Sequence, residues 1–223
     1  MLNSLGKTFR NREFRTFVTS DVLYWIALTM FQTGLPFYIT ELMGLDASWT
    51  TLLFIAMTGI SFLCYPVVNV MAKRLGKKRM IVFAFLFFSV SFGITSVVGM
   101  FGIPGVVWGF LIAILAAIPM AILGVLPQAV VADIAEVDAL ETGEARQGMF
   151  YAARTFAFKL GQSISMLVFT GIAAMSLGGM EYRITAIVAC VFCLLGGIAF
   201  FKYHERDVLN KIEEAGGVVE GVE

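Results

Sequence analysis

Six long apolar segments, separated by short polar stretches, dominate the pattern of this chain. They cover about residues 17–38, 49–72, 80–101, 104–132, 149–175 and 184–201. Each is close to the ~20 residues that an α-helix needs to cross ~30 Å of hydrocarbon. A bilayer admits only helices or closed barrels as spanning structures, and these segments are too long for strands. The pattern therefore predicts an all-α membrane protein with six transmembrane helices.

The polar flanks of these segments divide the chain into three parts. Residues 1–16 form a basic lead, residues 17–201 the six-helix transmembrane domain, and residues 202–223 a charged tail. The lead reads either as an amphipathic surface helix or as a simple positive anchor. The tail begins as a charged helical stretch, and the glycines of its last part, 216–221, predict disorder there.

The composition excludes most other classes of protein. The chain is 59% hydrophobic and only 14% charged, whereas about a quarter of a soluble domain is charged. Its net charge of zero predicts no nucleic-acid partner. Cys64, Cys190 and Cys193 lie in apolar segments and read as core filler rather than as a redox or zinc pair. With His204 as the single histidine, the chain predicts no metal site, no cofactor and no enzymatic residue set.

The distribution of basic residues predicts the orientation in the membrane. The lead holds four and the connection between the second and third segments holds five. Arg146 lies between the fourth and fifth segments, and Lys202, Arg206 and Lys211 lie in the tail. The other connections hold only Arg183. Because positive loops stay in the cytoplasm, both termini are predicted to be cytoplasmic in a multi-pass protein of the cell (inner) membrane.

A polar stripe runs along the fifth apolar segment. Its members recur at steps of three and four: Tyr151, Thr155, Lys159, Gln162, Ser163 and Thr170. Lys159 follows Gly148 by eleven residues, or ~16 Å along a helix, which is near mid-membrane. Ionisable groups at that depth are costly and usually face a cavity or a partner. Two interpretations remain: Lys159, Gln162 and Thr155 line a solute path, which we favour, or Lys159 forms a buried ion pair.

A second polar stripe lies on the first apolar segment, with Asp21, Tyr24, Trp25 and Gln32 at helical spacing. Asp21 has three interpretations: it binds a cation, it pairs with Lys159, or it lies at the membrane interface. The Tyr24 and Trp25 rings are typical of an interfacial aromatic belt, and also of a platform on which a sugar ring stacks. Together with Gln32 they form the second set of candidate solute-binding residues.

The acidic connection between the fourth and fifth segments is a candidate gate. Asp133 and Glu136 share a face if the fourth helix continues through them, and Arg146 follows shortly before the next helix. Such charges can lock one end of a bundle when it closes, or they can form a solvated loop that contributes little. Arg154 lies two turns inside the fifth segment, where it either reaches the membrane surface or pairs with Asp133 or Glu136.

Several of these motifs resemble one known family. The chain resembles the second half of the glycoside–pentoside–hexuronide:cation symporters, the melibiose-permease-like branch of the major facilitator superfamily. The resemblance covers nearly the whole chain and is carried by the lead 9–14, the turn Leu75-Gly76-Lys77-Lys78-Arg79, the acidic segment Asp133-Ile134-Ala135-Glu136, the segment 142–148 and Lys159-Leu160-Gly161.

The resemblance implies one half of a major facilitator fold and a function in transport. Members take up sugars or related solutes with Na⁺ or H⁺ by alternating access, around a site at the midplane between two six-helix halves. By position, Lys159 would lie at the cavity, while Asp133, Glu136 and Arg146 would form cytoplasmic gating contacts. Unlike the family's first half, the second apolar segment, 49–72, carries no acid.

The sequence thus predicts a half-size, cation-coupled transporter subunit that carries a small solute. It would need a second six-helix half or a second copy of itself, because six helices alone would expose both polar stripes to lipid. The alternative is a non-transporting membrane subunit or truncated remnant that binds or regulates another transporter.

Overall fold

The fold is known from a computed structural model that describes residues 2–215, with side chains described from residue 6 onward. The predicted disorder of residues 216–221 lies outside the described residues. The helices, in chain order, are α1 (Leu2–Arg10), α2 (Arg12–Phe37, continued by a π-helical turn, Tyr38–Leu42), α3 (Ser48–Leu75), α4 (Lys77–Ser96), α5 (Gly105–Thr142), α6 (Gln147–Ala173), α7 (Met180–Phe200) and α8 (Glu205–Glu214).

Six of these helices, α2 to α7, are long and apolar enough to cross a membrane. The prediction of an all-α, six-span membrane protein is therefore confirmed. The apolar segments mark only the parts of the helices inside the membrane. α2 begins before residue 17, at Arg12, where Asn11 caps it by accepting a hydrogen bond from the Phe14 N–H at 3.1 Å.

α5, which contains the fourth apolar segment, differs most from its predicted length. Its apolar segment ends near residue 132, but α5 continues to Thr142, where Gly143 adopts a left-handed conformation with φ of 69°. At 1.5 Å per residue α5 is about 57 Å long, so it extends well beyond ~30 Å of hydrocarbon. Ile134, Ala135 and Val137 keep one face of this extension buried, which explains why the helix does not stop at the membrane edge.

The core lies where α2, α4, α5 and α7 meet. Phe31, Phe88 and Phe92 form a chain of ring contacts there, with centroids 4.4 to 6.4 Å apart. α7 approaches α4 closely because a Cβ at Gly196 would lie 2.6 Å from the Phe85 ring. α3 and α6 bury the smallest share of their residues, so both present long surfaces outside the bundle.

A short terminal helix, α8, closes one end of the bundle. Its apolar side chains Val208, Leu209 and Ile212 are buried, and α8 packs mainly on α5. The Glu205 carboxylate accepts hydrogen bonds from the backbone N–H groups of Lys77 and Lys78, at 2.6 and 3.0 Å, at the start of α4. The tail prediction of a charged helix after residue 202 agrees with this element.

Candidate functional site

Small side chains bring α6 directly against α2 and so fix the face that α6 presents outward. Gly161 lies so close to α2 that a Cβ there would be 3.2 Å from the Val22 carbonyl oxygen. One turn later, the Ser165 hydroxyl donates a 2.8 Å hydrogen bond to the Ile26 carbonyl. Both residues are buried, and their spacing of four places them on one face of the helix. The other side of the helix, which includes Lys159 and Ser163, is therefore left exposed.

Lys159 is on that surface. It lies twelve residues into α6, or about 18 Å from its start, so it is close to mid-membrane, and it is exposed. Its Nζ lies 5.4 Å from the centroid of the Phe158 ring, which in turn stacks on Trp25 at 4.8 Å. Within residues 6–215, no carboxylate pairs with Lys159. The interpretation of Lys159 as one partner of a buried ion pair is thus wrong for this half.

The other candidate solute-binding residues divide into two groups. Thr155 is exposed beside Lys159, and Gln162, Trp25 and Gln32 are half-buried. Tyr24 is different, since it is only 4% exposed and its ring contacts Phe85 and Phe88 of α4. The Tyr24 ring is therefore part of the core, which corrects the sequence-based placement of this ring beside a solute.

Asp21 and Arg154 form a buried ion pair between α2 and α6. Arg154 donates from Nε and Nη2 to the two carboxylate oxygens at 2.9 and 3.0 Å, and the side chains are 6% and 3% exposed. The predicted partners of both residues were wrong, since Arg154 contacts neither Asp133 nor Glu136 and Asp21 does not contact Lys159. Because α2 and α6 are in direct contact, two residues at similar depth on their shared face meet.

The charges at the end of the bundle also pair differently from the prediction. Asp133 accepts a 2.6 Å hydrogen bond from Lys77 of α4. Arg146 donates to Asp138 at 2.7 Å, and both side chains are largely buried. Glu136 is exposed. α5 does continue through Asp133 and Glu136, which was the condition for the two acids to share a face, while the gating role of these residues and of Arg146 stays a prediction.

A further ion pair connects the N-terminal helix to this end. Lys7 of α1 lies 3.1 Å from Glu144, in the connection between α5 and α6. The hydrogen bond and charge of Lys7 hold the pKa of Glu144 below its usual value. Both side chains are about half exposed, so the contribution of this pair to stability is small and falls with salt.

Four residues of these arrangements were missed by sequence reasoning: Lys77, Asp138, Ser165 and Glu205. Lys77 and Asp138 belong to charged segments that the sequence does single out, and the antiparallel order of α4 and α5 places those segments at the same end. Ser165 lies one turn after Gly161, which is a pattern of close helix packing in membranes. Glu205 carried no such signal, because its contact depends on how the tail folds back.

The helical bundle, the open polar face and the charged end together define the class: a multi-pass, all-helical membrane protein with six spans. Comparison with known families places it more closely. The model of the MFS/sugar transport protein family matches residues 1–204. The chain belongs to this family.

One sequence relative offers a more limited comparison. The chain is 24% identical over 168 residues to a protein of Synechocystis sp. (strain ATCC 27184 / PCC 6803 / Kazusa) named "Uncharacterized symporter sll1374". The match covers 75% of this chain but 30% of the relative. The chain therefore spans less than half the length of the relative that it matches.

Proposed function

We propose that this chain is one six-helix half of a cation-coupled symporter, which carries a sugar or related small solute by alternating access. A second six-helix half, either a different one or a second copy of this chain, completes the transporter. The observation that carries the proposal is Lys159, an exposed cation near mid-membrane that pairs with no carboxylate of residues 6–215 and shares its face with Thr155 and Gln162.

The cost of exposing this face to lipid supports a second half. An ionisable group at the bilayer centre costs at least ~2.5–3.5 kcal/mol on insertion scales, so such groups face protein or a water-filled cavity. The core of this half does not cover Lys159, because Gly161 and Ser165 occupy the face toward α2. A facing half that encloses water and solute would remove the cost.

The comparisons support the solute class and the coupling. The family is described as one of sugar transport, and the relative is described as a symporter. We place the chain in the melibiose-permease-like branch on the motifs of its turn and acidic segments. Na⁺ or H⁺ would be the coupling ion, and the other half would supply its site, because α3 contains no acid and Asp21 is paired with Arg154.

The charged end of the bundle fits a gate at the cytoplasmic side of the inner membrane. Asp133 and Arg146 are already paired within this half, with Lys77 and Asp138. We therefore propose that these pairs hold the helix ends in place, and that exposed Glu136 is the acid that reaches the second half when the gate closes. The excess of basic residues at this end supports a cytoplasmic location for both termini.

Uptake measurements test the proposal. The chain is co-reconstituted with a second six-helix half, or with itself, and sugar uptake is driven by a Na⁺ or H⁺ gradient. Lys159→Ala is expected to lower uptake about tenfold or more, since hydrogen bonds to charged groups contribute ~1.5–3 kcal/mol. Lys202→Ala, which removes an exposed cation at the end of α7, serves as the control and should leave uptake unchanged.

Two results would contradict the proposal. The first is a wild-type uptake rate in the Lys159→Ala variant. The second is an absence of gradient-driven uptake with every half tested, together with an effect of Lys159→Ala on protein level alone. That second result would favour the non-transporting membrane subunit.

A further inference from the structure

A deep apolar groove runs between α3, α4 and α5, separate from the face that carries Lys159. Its volume is about 500 Å³, and its walls consist of nine apolar side chains and a single charged one, Arg79. Val67, Met71 and Phe83 line it and are 57%, 41% and 51% exposed, so the groove opens sideways from the bundle. In a membrane, that opening faces the hydrocarbon or another apolar partner.

The groove has the length of one membrane leaflet. Its lining on α3 extends from Cys64 to Leu75, which is eleven residues or about 16 Å of helix. Half of a ~30 Å hydrocarbon core is ~15 Å. The groove thus has the length, direction and chemistry to hold one extended acyl chain.

Arg79 lies at the mouth of the groove, in the first turn of α4. Its side chain is exposed, and none of the carboxylates within residues 6–215 pairs with it. Lys77, two residues earlier, is by contrast held by Asp133. An unpaired guanidinium at the membrane surface fits a phosphate group, which it binds with two parallel N–H bonds. Basic clusters that flank membrane helices attract anionic lipids in this way.

We propose that this groove is a binding site for an anionic phospholipid, with one acyl chain between α3, α4 and α5 and the phosphate on Arg79. Arg79 would bind the phosphate of the headgroup, and the apolar walls would bind the acyl chain of the same lipid. A second cavity, on the other side of α4, also contains Arg79 and Phe83, but its lining mixes Lys78 and Arg206 with Glu205 and Asp207 and has only four apolar side chains, so it offers an acyl chain much less apolar wall. The lipid therefore occupies the α3–α5 side.

Native mass spectrometry of the purified chain tests the site, with phosphatidylglycerol, phosphatidylcholine of the same acyl chains, and inorganic phosphate as probes. Phosphatidylglycerol is expected to bind about fivefold or more tightly than phosphatidylcholine, and inorganic phosphate at equal concentration is expected not to displace it. Arg79→Gln should remove the difference between the two lipids, Arg79→Lys should keep most of it, and Arg15→Gln, a surface change at the same end, should leave it unchanged.

A second pair of variants tests the groove without changing any charge. Val67→Trp places an indole in the groove and should weaken the binding of both lipids about fivefold or more. Val70→Trp is the matched control, since Val70 is 56% exposed on the same helix but does not line the groove. This pair decides the question even if Arg79→Gln does not fold.

The proposal is overturned if both lipids bind equally, or if Arg15→Gln acts as strongly as Arg79→Gln. Equal effects of the two tryptophan variants would exclude the groove as the site of the acyl chain. Displacement of phosphatidylglycerol by inorganic phosphate would indicate a site that binds the headgroup alone. A Val67→Cys variant that forms a disulfide with a second six-helix half would show that protein, not lipid, covers the groove.

Discussion

Asp21 and Arg154 place two opposite charges inside the bundle, where the side chains are almost fully buried. The bidentate geometry compensates much of the cost of removing both groups from water. Such a pair is tolerated only while both members are present, because one member alone is an unpaired buried charge.

The single variant Asp21→Asn is therefore expected to destabilise the protein by about 3–5 kcal/mol. The double variant Asp21→Leu/Arg154→Met replaces the charges by apolar groups and is expected to recover most of that loss. Thermal unfolding in detergent, followed by the loss of helical signal, measures both. A double variant as unstable as the single one would show that the pair contributes more than neutralisation of its own charges.

The depth of charged residues could be predicted from the sequence, but their partners could not. Counting residues along a helix gives depth, and Lys159 lies near the middle of α6, as that count predicts. Partners depend on the rotation of each helix, and neighbouring positions differ by about 100° around the axis. Tyr24 and Trp25 show the consequence: the first ring packs on α4, while the second stacks on Phe158 of α6.

At the scale of elements, α8 links the tail to the start of α4. The Glu205 carboxylate caps the first turn of α4 from a distant part of the chain, as a local capping residue does in other helices. Gly76, with φ of 86°, turns the chain into α4 and lies so close that a Cβ there would be 3.0 Å from Glu205. The Glu205 cap therefore packs directly against the Gly76 turn, which leaves little room for a larger residue at position 76.

Glu205→Ala is expected to lower the stability of this end by about 0.5–2 kcal/mol, because two N–H groups lose their acceptor. Hydrogen exchange of the first turn of α4 and of α8 should then become about two- to thirtyfold faster, with α2 and α7 unchanged. The control, Glu213→Ala, removes an exposed acid from the same helix and should leave exchange unchanged. Equal acceleration in the two variants would mean that the cap is not what holds α8.

Whole helices could be predicted from the sequence more completely than the partners of single side chains. Six spans follow from apolar length alone, because the bilayer leaves few alternatives. The ten residues that α5 adds after residue 132 lie outside the predicted span, since hydropathy reports the membrane and not the backbone. The buried Ile134 and Val137 show that packing against neighbouring elements carries the helix onward.

At the scale of the whole molecule, the exposed faces of this half have two chemistries. α7 exposes apolar side chains such as Val191 and Ile198, which suit lipid. α6 exposes Thr155, Lys159 and Ser163 together on one side. The polar stripe was predicted from spacing, but the sequence does not identify what faces it; in the proposed function that is a second six-helix half.

If the polar stripe borders a water-filled passage, a cysteine there will react with a hydrophilic, membrane-impermeant thiol reagent, and a cysteine on the lipid face will not. Ser163→Cys and Val191→Cys compare two exposed positions near mid-membrane, in a background with Cys64, Cys190 and Cys193 replaced by Ala. Labelling is measured by mass shift, in membranes that contain both halves. Ser163→Cys is expected to react, and an excess of transported solute is expected to slow it, because thiolate forms readily only in water. Equal labelling of the two positions, or no labelling of Ser163→Cys in any coupling-ion gradient, would place the polar face against lipid or protein and remove the passage.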